Sequence, residues 1–273
     1  MTVSVDDSKF VRELVRDQSS ISLGENKEYL IEARLAPLAR REGLDSIAAL
    51  IDEVRAGRSH LRDEVVGALA THETWFFRDH NPFEALREVV IPALLADDPG
   101  RRLALWSAAA STGQEAYSLA MLLLEHFPGA KGASILATDL SADVLDRAGT
   151  GSFNQFEVNR GLPAPFLVKY FERQGLRWQL HDRVRSLVSF RQMNLAEPLP
   201  SIPPMDIVFL RNVLIYFEPE TRAGVLERIN RVLRPGGYLF LGSTETTYGL
   251  DAALTRVRLG TTTCYQRNDG RVL

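Results

Sequence analysis

Three features of the sequence predict an α/β fold in which a mostly parallel sheet ends in an antiparallel strand. The sheet is preceded by a helical domain and interrupted by a small antiparallel β insert. First, an apolar run from Leu103 to Trp106 passes through small residues around Gly113 and resumes as a helix, with Tyr117, Met121 and Leu124 at helical spacing. Second, the strand-to-helix rhythm recurs at Ala133–Asp139 and at Met205–Leu210. Third, the β-rich stretch Thr261–Tyr265 follows too short a connection to hold a crossover helix, so it must pair antiparallel.

Residues 1–70 carry apolar spacing for four short helices: Phe10, Leu14 and Val15; Ile31, Leu35 and Leu38; Ile47, Leu50, Ile51 and Val54; Leu61, Val65 and Leu69. Gly24, Gly43 and Gly57 punctuate them, and Asp45 and Ser59 are candidate caps. Pro37 should kink the second helix. Lys27, Arg34 and Arg41 recur every seven residues along one stripe, with Arg40 beside it. Such a stripe is either a solvated face or a dock for an acidic partner helix. The cluster Thr71–Asp79 then brings three consecutive aromatics, Trp75, Phe76 and Phe77, which require burial and leave Thr74 and Arg78 one helical turn apart, projecting together. Residues 80–97 form a helix leading into the first strand.

In the first strand-loop-helix unit, small residues Ala108 to Gly113 admit a ligand close to the backbone, where the unpaired N–H groups of the next helix also point. The second unit ends in an acid, Asp139, about 25 positions beyond that loop, the place where nucleotide domains hold ribose hydroxyls. Ser141 and Asp143 open the following helix. The loop has one glycine where a dinucleotide fingerprint needs three, and no Gly-Lys-Ser/Thr follows. A mononucleoside without a pyrophosphate fits, and S-adenosylmethionine is the candidate.

Beyond Asp139 the pattern changes. Phe153–Tyr170 reads as an inserted helix, and residues 170–193 as a small antiparallel ribbon, made locally basic by Arg173, Arg177, Arg183, Arg185 and Arg191, for which a plain lid brace is the alternative reading. The α/β rhythm returns with Met205–Leu210, a helix from Pro219 to Leu233, a turn at Arg234-Pro235-Gly236-Gly237 and a buried strand at Tyr238–Ser243.

Composition narrows the class. The 273 residues are 45% hydrophobic and 25% charged, enough for a substantial core, and the net charge of -3 lacks the basic bias of nucleic-acid binders. A single cysteine, Cys264, precludes an internal disulfide and a cysteine-based metal cluster. Neither a leader peptide nor an apolar run of membrane-spanning length is evident, so a cytoplasmic location without membrane insertion is expected.

The order of helical front module, parallel strands and antiparallel last strand resembles the Rossmann-like sheet of S-adenosylmethionine-dependent methyltransferases. Five ordered motifs sharpen the likeness: Thr74-Trp75-Phe76-Phe77-Arg78, Trp106 through Glu115, Thr138-Asp139, Asn194-Leu195, and Arg211 through Phe217. Together they resemble the CheR-type chemotaxis receptor glutamate methyltransferases over nearly the whole chain. The resemblance implies that Glu115 and Asp139 hold polar parts of the cofactor, that Asn194 and Leu195 lie by the adenine, and that Asn212 and Val213 line the methionine side. It puts His72, Thr74 and Arg78 on the same cleft and makes Arg78 and Tyr216 the catalytic pair. Two departures stand out: His72 where the family often has Asn, and Gln114-Glu115-Ala116-Tyr117 where it often has Glu-Glu-Pro-Tyr.

The implied activity is methyl transfer from S-adenosylmethionine to glutamate carboxylates of methyl-accepting chemotaxis receptors, without a metal. The cytoplasmic helical domain of a receptor would dock on Lys27, Arg34 and Arg41, and the enzyme is expected to be a monomer. The short connection between Gln174 and Trp178 points to recognition independent of a receptor tail. The competing class is a non-catalytic S-adenosylmethionine-binding sensor or adaptor. A nucleic-acid amino methylase is disfavoured, because the Asn/Asp-Pro-Pro-aromatic motif is missing.

Overall fold

Four amphipathic helices open the chain: α1 (Val5–Ser19), α2 (Glu28–Arg41), α3 (Ile47–Arg55) and α4 (Ser59–Leu69). The structure is a computed structural model and describes residues 3–24, 27–130, 132–247 and 253–268. Ser4 caps α1 by accepting from the Asp7 N–H, and Ser46, not the expected Asp45, caps α3 by accepting from Ala49. Ser59 is the first residue of α4 rather than its cap. Helix α2 continues through Pro37 to Arg41.

The stripe on α2 is not an open row of cations. Lys27 precedes the helix and is exposed, but Arg34 Nη1 donates to the carbonyls of Ala68 and Ala70, at 3.1 and 2.9 Å, and so closes the end of α4. Arg41 reaches Glu64 at 2.9 Å and Asp143 at 2.6 Å. Two of the three docking cations expected from the sequence therefore hold the molecule together. Seven-residue spacing establishes a shared face, not what lies opposite it.

A helix through α5 (Asn81–Ala85), a π-turn at Leu86–Val90 and α6 (Ile91–Asp97) enters β1 (Ala104–Ala108). Then follow α7 (Gln114–His126), β2 (Ser134–Asp139), α8 (Ala142–Thr150), β3 (Ser152–Asn154), α9 (Gln155–Asn159), α10 (Ala164–Tyr170), β4 (Phe171–Gln174), β5 (Arg177–Leu180) and α11 (Asp182–Arg185). The chain closes with β6 (Val188–Gln192), β7 (Met205–Leu210), a 3-10 turn at Leu214–Tyr216, α12 (Pro219–Val232), β8 (Leu233–Leu241), β9 (Leu254–Leu259) and β10 (Thr262–Arg267). The large sheet runs β6-β2-β1-β7-β8-β10-β9, parallel through β8 and antiparallel where β10 meets β8. One apolar layer joins α1–α4 and α12 to one face, and a second joins the α5–α7 side and the small sheet to the other.

The insert differs from the expected ribbon. Its sheet is β3-β5-β4, so it begins at Ser152 and ends at Leu180, while Val188–Gln192 leaves it to pair in parallel with β2. Alternation along a strand marks its faces but not its partner, which explains the misplacement. The segment Arg234–Gly237 also differs, lying within β8. Arg234 Nη1 donates to both oxygens of fully buried Asp206, at 2.9 and 2.8 Å, pinning β8 to β7. A register shift between Met205 and Ile207 absorbs the glycines, and a Cβ on Gly237 would lie 2.9 Å from the Arg234 carbonyl. The connection before β10, expected without a crossover helix, carries β9 among its described residues.

Candidate active site

The strand order reverses between β1 and β7, and a crevice forms outside the carboxyl ends of the strands at such a point. There the structure has a cleft of about 800 Å³, its open mouth included. His72, Thr74, Arg78, Glu115, Asp139, Asn194, Leu195, Asn212, Val213 and Tyr216 all line it, so the ten cleft residues named from the sequence come together. Lys27, Arg34 and Arg41 are not among its lining.

The loop after β1 is shaped by residues in sterically costly backbone conformations. Ala109 and Ser111 have φ of 62° and 52°, and Gly113 has φ of 91°. A side chain at Gly113 would be strained by that positive φ and crowded, its Cβ lying 3.0 Å from that of Ala148. Asp139 holds this loop: its Oδ2 accepts from the Ser111 N–H at 2.8 Å and its Oδ1 from Ser141 at 3.1 Å. Trp106, fully buried, donates Nε1–H to the Thr138 hydroxyl at 2.9 Å and locks the two strand ends together. Asp139 is itself buried, yet a carboxylate with two accepted bonds keeps lone pairs for further donors.

Glu115 lies in the first turn of α7 and is buried between two partners: it accepts from the Ser107 hydroxyl at 2.8 Å and from Arg211 Nη1 at 2.9 Å. Arg211, whose side chain is 1% exposed, also donates to Asp79 at 2.5 Å and to the Arg78 carbonyl at 3.0 Å. It ties the β7 end, the α7 start and the Arg78 segment into one charged knot. The family motif quoted above contains Arg211, but no role follows for it from the sequence. A cation at the end of an apolar strand was the available signal.

Glu245 is a second unforeseen residue. Buried in the loop after β8, it accepts from three backbone N–H groups: Gly242 at 2.7 Å, Asn212 at 2.8 Å and Ile215 at 3.3 Å. It thereby shapes the loop bearing Asn212 and Tyr216, with Asn212 at φ 58°. Gly242 is a local partner, but Asn212 and Ile215 lie 33 and 30 positions away, where no local pattern announces the contact. Asn212 lines the cleft, and its Oδ1 is buried without a hydrogen-bond partner among the described residues.

The helical domain covers the cleft. Ile21 pairs with Phe217, the Ser22 N–H donates to the Tyr216 carbonyl at 3.1 Å, and Ser19, Ile21 and Ala70 line the wall. Asn194 joins this contact. Its Nδ2 donates to the Gln18 carbonyl at 2.7 Å and to Glu197 at 3.0 Å, and its Oδ1 accepts from Ala196. Its amide donors are thus engaged, and buried Leu195 beside it contributes apolar surface to the cleft wall. His72 is a strut: Nε2–H donates to the Gly67 carbonyl at 2.9 Å, Nδ1 lies 3.9 Å from Asp139, and the carbonyl accepts from the Ser111 hydroxyl.

Arg78 enters the cleft half-buried. Among the described residues its Nη1 donates to the Glu73 carbonyl at 2.7 Å, while its Nε is buried without a partner. Its guanidinium lies 4.3 Å from the Trp75 ring centroid. The hydrogen bond from Arg160 holds the Glu73 carboxyl below its ordinary range, against a smaller opposing effect of desolvation. Among the described residues no cluster of histidine, cysteine or carboxylate side chains could hold a metal, and no helix is long and apolar enough to cross a membrane.

Residues 72–262 match the family described as "CheR methyltransferase, SAM binding domain", and residues 6–70 match "CheR methyltransferase, all-alpha domain". The chain is 44% identical over 238 residues to "Chemotaxis protein methyltransferase Cher2" of Pseudomonas putida, covering 84% of this chain and 86% of that protein. It is 40% identical to "Chemotaxis protein methyltransferase 1" of Pseudomonas aeruginosa, over 92% of this chain and 93% of the relative. Identity to "Chemotaxis protein methyltransferase 1" of Vibrio cholerae is 39%, over 94% and 95%. With matches of this extent laid over a switch-point cleft, the chain belongs to the CheR methyltransferase family and is an S-adenosylmethionine-dependent methyltransferase.

Proposed function

We propose that the chain methylates glutamate carboxylates on the cytoplasmic helical domain of chemoreceptors, giving methyl esters. The names of its relatives supply the chemotaxis setting. The observation that carries the substrate class is the pair Arg78 and Tyr216, a cation and a phenol lining one cleft. In this reading Asp139 accepts the ribose hydroxyls, Glu115 holds a polar part of the cofactor, Asn212 and Val213 line the methionine side, and Leu195, Asn194, His72 and Thr74 complete the wall.

S-adenosylmethionine, when bound, supplies a methyl group on a positively charged sulfur. A glutamate side chain is already ionised near neutral pH, so the protein needs no general base. Its task is alignment: Arg78 orients the carboxylate by paired N–H bonds and Tyr216 bounds its other edge. The covering helices exclude water, which strengthens both contacts. Too tight a grip by Arg78 would stabilise the ground state, so a partly exposed arginine with bonds to spare suits the role.

Residues 1–70 act as the substrate-docking domain and residues 71–273 carry the chemistry, in a monomer located in the cytoplasm with its receptor's signalling domain. Docking on α2 rests on Lys27, since Arg34 and Arg41 are engaged internally. The two-residue hairpin Gly175-Leu176 supports recognition without a receptor tail. The test uses methyl-labelled cofactor and receptor cytoplasmic fragments. Base-labile label on glutamate is expected, and label on another side chain refutes the substrate. Arg78→Ala should reduce turnover about a hundredfold while S-adenosylhomocysteine affinity stays within about threefold. Equal losses in both would reassign Arg78 to cofactor binding.

A further inference from the structure

Arg78 projects from a segment of unusual backbone: Phe77, Asp79 and His80 have φ of 50°, 66° and 47°. Residues in this region cost energy unless their surroundings hold them. Much of what holds this segment comes from the insert. Phe76 packs edge-on against Phe153 at 5.0 Å and Phe171 at 5.8 Å, from β3 and β4. The backbone of Gly161 lies so close that a Cβ there would sit 2.1 Å from the Phe76 carbonyl and 2.8 Å from the Trp75 ring.

Beside Gly161, Arg160 completes a closed ring of contacts with Trp75, Arg78 and both the carboxylate and the backbone carbonyl of Glu73. Its guanidinium lies 4.0 Å from the Trp75 ring centroid, over the same indole that carries Arg78 at 4.3 Å. Its Nη2 donates to Glu73 Oε1 at 2.7 Å, and the carbonyl of the same Glu73 accepts from Arg78 Nη1 at 2.7 Å. Each arginine therefore touches both Trp75 and Glu73. We infer that Arg160 is a positioning residue for Arg78, acting through Trp75 and Glu73, so that the insert, at the end of its helix α9, sets the direction of the substrate-facing guanidinium. A purely stabilising role fits poorly. The side chains of Arg160 and Glu73 are 52% and 58% exposed, and ion pairs of that exposure contribute little to folding. Arg160 is also absent from the cleft lining, so it acts on the reaction through its neighbours.

The inference rests on the role proposed for Arg78, and a double-mutant cycle separates the two. The variants are Arg160→Ala, Arg160→Lys, Trp75→Leu, Arg78→Ala and Arg78→Ala/Arg160→Ala. Each is assayed for kcat and KM with a receptor cytoplasmic fragment, and for S-adenosylhomocysteine binding by calorimetry. Arg160→Ala and Trp75→Leu should each lower kcat about tenfold, the scale of a misaimed catalytic group, with KM and S-adenosylhomocysteine affinity within about twofold. Arg160→Lys should recover part of the loss. In the Arg78→Ala background, Arg160→Ala should change kcat by less than about twofold, because the group it aims is gone. Unchanged kcat in Arg160→Ala, a loss confined to KM, a parallel loss of cofactor affinity, or full additivity in the double variant would each overturn the inference alone. Wild-type turnover in Arg78→Ala would instead refute the proposed role of Arg78 and remove the basis of both.

Discussion

Replacing Arg211 with methionine tests the charged knot beneath the cleft. The guanidinium is 1% exposed and holds Glu115, whose side chain is 10% exposed, at 2.9 Å. Methionine keeps the apolar stem but leaves Glu115 a buried carboxylate with the Ser107 hydroxyl as its remaining partner among the described residues. Breaking a buried pair by removing one partner costs about 3–5 kcal/mol. The Asp79 contact adds little, because that carboxylate is 40% exposed and water screens it. At about 2–4 °C per kcal/mol for chains of this size, the melting temperature should fall by about 10 °C. Glu115→Gln in the Arg211→Met background should recover part of that loss, because the orphaned charge is removed. Thermal denaturation followed by circular dichroism reads both effects. A melting temperature for Arg211→Met within about 2 °C of wild type, or a Glu115→Gln change that deepens the loss, would refute the account of Arg211 as a buried counter-ion.

Three further outcomes follow from other contacts. Asp139→Asn turns an amide toward backbone N–H groups that now donate to a carboxylate, losing about 1.5–3 kcal/mol. S-adenosylhomocysteine affinity, measured by calorimetry, should fall about 10- to 100-fold. Arg34→Ala uncaps the carbonyls of Ala68 and Ala70 and should lower stability to urea by about 1–3 kcal/mol with no change in KM, whereas Lys27→Ala should raise KM in a salt-dependent way. Burial pushes the Cys264 thiol up to about 12, so it should resist maleimide in the folded protein and react once unfolded. The raised folded value also means that its contribution to stability is intact below the unfolded thiol's range and is lost as pH rises toward 12. Cys264→Ala should flatten that alkaline decline.

Much of the cleft was legible because it is built from strand ends. Short apolar runs announce buried parallel strands, and the residues just past each run must face the crevice at the switch point. Asp139 could therefore be named from its strand end, while Glu115, Asn212 and Tyr216 came from the family resemblance, and each of the four lines the cleft. The partners that hold them were not legible. Glu245 reaches back to Asn212, and Arg211 reaches Glu115 across 96 positions, and neither separation leaves a periodic trace.

The sequence by itself determined the helical front domain, the parallel strands, the antiparallel close and the residues at the strand ends, because those follow from local periodicity and turn chemistry. Tertiary structure alone decided which cations were available. Lys27, Arg34 and Arg41 share a spacing, yet Arg34 closes a helix and Arg41 binds Asp143, 102 positions away. It also decided that Val188–Gln192 belongs to the large sheet and that Arg234 pins β8 instead of opening a turn. The physical reason is common to all of these: the period of a pattern fixes which way a side chain faces, and only the packed chain supplies what it meets there.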